Sequence, residues 1–268
     1  MDAFFSYGFF QRALLAGLFV AIASAILGLF LVLRRDAMIG HGLAHVTFGG
    51  VALGLFLNIL PLGAALAVAI LASLAIMKLK EKAGLHGDTA IGIFSSAGMA
   101  LGIALASLAG RFNADLMSYL FGDILAIGAR EVALSTGLAA VVVAVLLANY
   151  RQLMYLTFDR EAARVSGIRT SQLDVLLAVL TSVTVVLGMK VVGILLVTAL
   201  LVIPAGSALL LASSFRQALF LSSLVASLSV ILGLIAAFSL DLPASATVVL
   251  VSFLIFGVFF LVRRKTLP

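Results

Sequence analysis

Runs of about 20 apolar residues follow one another along this chain, separated only by short polar breaks. That pattern fits a lipid bilayer. Only 10% of the 268 residues are charged and 64% are hydrophobic, whereas a soluble domain carries roughly 25% charged residues. Inside a bilayer each helical segment satisfies its own backbone N–H and C=O groups. The expected fold class is therefore all-α, a polytopic transmembrane helix bundle, with residues 1–268 as a single transmembrane domain. The predicted spans are 10–33, 37–58, 61–78, 89–110, 131–150, 172–189, 191–212, 217–239 and 243–262. Pro61, shortly after Asn58, divides one long apolar run into two helices. At Lys190 two spans abut with almost no loop, so the count is eight to nine. The run from Ala13 to Leu33 exceeds a signal-peptide core and no basic residue precedes Arg12, so it is read as the first span.

The net charge of +6 is explained by position and gives no reason to expect a nucleic-acid partner. Arg34, Arg35, Lys78, Lys80, Lys82, Arg151, Arg160, Arg164, Arg169, Arg216, Arg263, Arg264 and Lys265 fall on one side of this layout, 13 of the 17 basic residues. By the positive-inside bias that side is cytoplasmic, with the N-terminus outside and the C-terminus inside. The apolar stretch 115–125 is too short to span and is read as a re-entrant or interfacial helix on the outer side. Its acids Asp115 and Asp123 are candidates for an ion entrance. For Asp123 the plain alternative is a solvated acid at a helix end.

An ionisable group deep in lipid costs at least about 2.5–3.5 kcal/mol and so needs a reason. Asp36, Asp88, Asp159, Glu161, Asp174 and Asp241 all fall in loops or at helix ends. His41 and His45 are the exceptions. With the second helix starting near Ala37, His45 lies about 12 Å along it. At i and i+4 both rings share a face and suit chelation of one metal ion. The alternative is a pair of histidines that only hydrogen-bond to neighbouring helices. Gly40, Gly42, Gly49, Gly50 and Gly54 allow close approach of other backbones, or of an ion with its water.

The spacing matches the zinc-protease motif H-E-x-x-H, but Gly42 stands where that motif has its glutamate base. No cysteine exists in the chain, and the third histidine, His86, is assigned to a cytoplasmic loop. An intramembrane metalloprotease is disfavoured on both counts. A weakly held ion suits a transport pathway, where it must also leave. A self-powered carrier is disfavoured by the lack of buried acids, and no phosphate-binding G-x-x-x-x-G-K-[ST] loop is present. Uphill transport would then need an external motor. The segment 157–167, charged, helical in pattern and closed by Gly167, is where such a motor would dock. Lys190 is expected to snorkel to the outer interface.

Several stretches occur together in order: Leu33-Arg34-Arg35, Leu43-Ala44-His45, Gly49-Gly50-Val51-Ala52-Leu53-Gly54, Asp88-Thr89-Ala90-Ile91-Gly92-Ile93, residues 119–125, residues 192–205 and Asp241-Leu242-Pro243. In this ordered set the chain resembles, over nearly its whole length, the permease subunits of bacterial ABC importers for zinc, manganese and iron(II). The resemblance implies a vitamin B12-importer-like ABC permease fold and a multi-pass protein of the bacterial inner (plasma) membrane. It further implies a homodimer with the ion path at the shared interface, cytoplasmic ABC ATPase subunits below and an extracytoplasmic metal-binding protein above. The chain would be a transport subunit and not an enzyme, holding no permanent cofactor. Residues 158–167 look like the family's coupling helix, with Asp159, Arg160, Glu161, Ala163 and Gly167 as its contact residues. Members of the family commonly carry D-x-x-x-H where this chain has His41-Gly42-Leu43-Ala44-His45. Imidazole suits zinc better than manganese. The expected cargo is therefore Zn2+, with Mn2+ and Fe2+ as alternatives.

Overall fold

A computed structural model describes residues 8–83, 87–108 and 128–266. These residues form helices α1 (Gly8–Leu33), α2 (Met38–Phe56), α3 (Pro61–Ala83), α4 (Gly87–Leu108) and α5 (Ala129–Ala148). Next in the chain are the short α6 (Tyr150–Phe158) and α7 (Arg160–Val165), and then α8 (Thr170–Val192), α9 (Ile194–Leu211), α10 (Phe215–Leu240) and α11 (Ala244–Thr266). Among the described residues, 9 helices are long and apolar enough to cross a membrane. The stretch 115–125, with Asp115 and Asp123, and His86 lie outside the described residues.

The helices sort by how much of each is covered. The most apolar windows of α1 and α8 are each 72% buried and that of α2 is 67% buried, against 22% for α4 and for α11. The first three form the centre, joined by Phe10, Phe30, Phe48, Leu43 and Met189. The outer helices present Leu71, Leu101, Phe253 and Leu254 outward. Such a rim suits lipid and would be costly in water.

Small residues set the closest crossings. A Cβ on Gly28 of α1 would sit 1.9 Å from the Leu201 carbonyl oxygen of α9. A Cβ on Gly49 of α2 would lie 2.5 Å from the Gly98 carbonyl oxygen of α4, and one on Gly98 would lie 2.6 Å from the Val46 Cα. Backbone therefore meets backbone at both crossings, as small residues permit inside a membrane. Several buried hydroxyls are satisfied within their own helix: Thr47 donates to the Leu43 carbonyl at 2.7 Å and Thr181 to that of Leu177 at 2.7 Å. Ser182 of α8 has the Ala178 carbonyl of its own helix at 2.9 Å and also reaches α3, with its Oγ 3.1 Å from Ser73 Oγ.

Two boundaries differ from the sequence expectation. The break between α8 and α9 is at Gly193, whose φ of 85° and ψ of 161° few other residues adopt. Lys190 lies within the last turn of α8, where a cation is favourable against the helix C-terminus. The charge decorates the helix end and does not cause it. The segment expected as one helix over 157–167 is two helices, α6 and α7, broken at Asp159 (φ −148°, ψ 100°).

Candidate functional site

The turn after α1 runs directly into α2. His41 and His45 lie in the first half of that helix, His41 exposed and His45 half-buried. Their Nε2 atoms stand 3.2 Å apart, with ring centroids 4.7 Å apart and planes at 87°. In the neutral state one Nε2–H donates to the other Nε2. With both rings protonated at Nδ1 instead, both Nε2 lone pairs are free for one cation. Two donors on a tetrahedral ion, with bonds of about 2.0–2.1 Å, are themselves about 3.3 Å apart. Cis donors on an octahedral ion with bonds near 2.2 Å are about 3.1 Å apart. The observed separation suits both.

The glycines around the pair are all occupied by protein. A Cβ on Gly40 would meet Leu201 of α9 at 2.6 Å, one on Gly42 would meet Ile91 of α4 at 2.4 Å, and one on Gly50 would meet Ala65 of α3 at 2.7 Å. Gly54 is similarly closed by Pro61. These positions serve helix packing and leave no room there for a hydrated ion. Helices α9, α4, α3 and α8 pack around α2. The part of its first half that the described residues leave open carries Met38, 50% exposed, and His41.

The donor set is sparse. Among the described residues no group of three or more His, Cys, Asp or Glu side chains comes together as metal ligands. His45 Nδ1 is buried without a hydrogen-bond partner. A histidine in a resident metal site is normally steadied through its second nitrogen. His45 lacks that support, so an ion on this ring would be held weakly.

The segment expected to receive a motor has clear local causes. Asp159 caps α7, its carboxylate accepting from the Ala162 N–H at 2.8 Å. Gly167, at φ 80°, ends the turn beyond α7. Arg160, Glu161, Arg164 and Val165 face outward, and Val165 is 87% exposed. Ala163 does not share that face: it is buried against the protein itself.

One group carries more than its place in the sequence suggests. Asp174, expected as a helix-end acid, is 5% exposed inside α8. It accepts from Arg34 and lies 2.8 Å from an Arg160 guanidinium nitrogen. Asp36 pairs with Lys80 beside it. The available signal is an acid flanked by Leu173, Val175, Leu176 and Leu177, together with a run of Arg34, Arg35 and Asp36 at the end of a span. At the opposite end of α8, Lys190 pairs with Glu131 of α5 at 3.2 Å.

Comparison with known proteins gives a consistent result. The pattern of the ABC 3 transport family matches residues 6–263. The manganese import system permease protein ScaB of Streptococcus gordonii is 34% identical over 97% of this chain and 93% of its own length. The high-affinity zinc uptake system membrane protein ZnuB of Haemophilus influenzae is 34% identical over 95% of this chain and 97% of its own. The solved structure of PsaBC from Streptococcus pneumoniae in complex with Fab superposes with a TM-score of 0.87 at 32% identity, covering 97% of this chain and 93% of that one.

Proposed function

The chain belongs to the ABC 3 transport family and is a multi-pass membrane permease of the metal ABC importer type, and from that premise we propose that it carries Zn2+ past His41 and His45 on α2. The observation that carries this reading is the facing pair of Nε2 atoms, 3.2 Å apart on the open face of a central helix. Each cation is taken once the shared proton sits on the donating ring's Nδ1, which leaves both Nε2 lone pairs to the ion. It is released because only two protein donors hold it and one ring lacks outer support.

Three further parts complete the proposal. A second copy of the chain covers the open face of α2, so that the ion passes between two permeases. A separate cytoplasmic ATPase engages the outward face of α7 through Arg160, Glu161 and Val165 and supplies the work. A metal-binding protein delivers the ion at the opposite end of the bundle, the end of Lys190 and Glu131, which this reading takes as external with the N-terminus. Asp115 and Asp123, beyond the described residues, are candidates for that entrance by their place in the sequence.

A manganese cargo is the second reading. It is favoured by the relative named as a manganese permease, whereas the two-imidazole donor set favours zinc. The deciding experiment is uptake into vesicles containing the permease and its ATPase, with Zn2+, Mn2+ and Fe2+ offered separately and in competition. Zinc is expected to be taken up preferentially, and His45→Ala to lose uptake while still assembling with the ATPase. Preferential manganese uptake replaces the zinc assignment. Unchanged uptake by His45→Ala removes the histidine pair from the pathway.

A further inference from the structure

Five charged side chains gather at the end of the bundle that carries α7. Asp174 Oδ1 accepts from Arg34, just beyond the end of α1. Its Oδ2 lies 2.8 Å from the Arg160 guanidinium, at the first residue of α7. Arg34 Nε is also 4.0 Å from Asp36 Oδ2, and Asp36 Oδ1 takes the Lys80 ammonium of α3. These groups border a cavity of about 280 Å³. Asp36 stands in the turn that opens α2, five residues before His41.

A carboxylate that is only 5% exposed must keep its cations close, because an unpaired buried charge is strongly unfavourable. Arg160, with 51% of its side chain exposed, is the outermost member. Its contact joins the short helix α7 to α8, and Asp174 passes that connection to Arg34 and so to the start of α2. The Arg160 contact on Asp174 Oδ2 is the outer ion pair of this network, and the Arg34 contact on Oδ1 is the inner one.

Resting on the reading of α7 as the ATPase contact, we infer that Asp174 is a positioning residue that converts movement of α7 into movement of the histidine-bearing helix. The link runs from Arg160 through Asp174 and Arg34 to Asp36. Asp174 touches no cargo. Its role is to keep two elements, one docked on the motor and one lining the path, from moving independently.

The test uses vesicles holding the whole complex with its binding protein, and reads zinc and manganese transported per ATP hydrolysed. Asp174→Asn keeps the shape and removes the charge; Asp174→Glu keeps the charge and changes the shape. We expect Asp174→Asn to assemble and hydrolyse ATP while metal moved per ATP falls about tenfold, within the range of ordinary coupling effects. Asp174→Glu is expected to recover most of that ratio, which a purely packing role would not produce. A wild-type ratio in Asp174→Asn overturns the inference, as does a Glu variant that fares worse than Asn. Where Asp174→Asn fails to fold, Lys80→Met decides, because it frees Asp36, the last member of the link, at a pair less buried than Arg34 with Asp174. A reduced ratio there supports the inference and an unchanged one overturns it. Failure of the underlying functional reading looks different: the wild-type complex itself then shows no ATP-driven metal uptake.

Discussion

Two imidazoles that share one hydrogen bond present a cation with a place already shaped for it. Ligation needs both rings neutral, so uptake is expected to fall as the medium is acidified. Initial-rate uptake across a pH series, with ATP hydrolysis followed in parallel, checks this. Donor identity should also govern choice of ion. His41→Asp exchanges one nitrogen donor for oxygen and restores a negative charge, so the ratio of manganese to zinc uptake is expected to rise about tenfold. Two-metal competition measures it. The spacing of this pair is legible in the sequence because i and i+4 always share a helix face. The role of Asp174 is not, because its importance comes from Arg34 and Arg160, distant in sequence, and no local periodicity encodes such a meeting.

Among the elements, α7 shows how little sequence is needed to hold a small helix in place. A capping aspartate starts it, a buried alanine docks it and a left-handed glycine closes the turn beyond it. Asp159→Ala removes the cap and is expected to cost about 1 kcal/mol, which raises amide exchange across residues 160–165 about fivefold. Hydrogen exchange of the purified protein reads that directly. Glu161→Arg reverses a charge on the outward face and is expected to leave the permease folded while uncoupling ATP hydrolysis from metal movement. The long elements are readable because apolar runs of bilayer length have few alternatives. The α8–α9 boundary is harder to read because Lys190 is conspicuous, whereas the break depends on the unusual backbone of Gly193.

For the molecule as a whole, the centre is built where backbones touch. Gly28→Val would drive carbon into the Leu201 carbonyl, with a Cβ at 1.9 Å. A loss of roughly 1–3 kcal/mol or more is expected from such overpacking, seen as a lowered Tm in detergent. Nothing in the amino-acid pattern alone shows which glycine meets which helix, since that depends on how the spans are arranged around one another. The paired approach of Gly49 and Gly98 has a mechanical consequence. The second and fourth helices interlock at main-chain level, so neither can roll about its own axis without prising the other away. On the proposed coupling, a stroke delivered near Asp36 would carry both as a single plank, and the imidazoles would travel by tilting with that plank and not by swivelling on a lone rod.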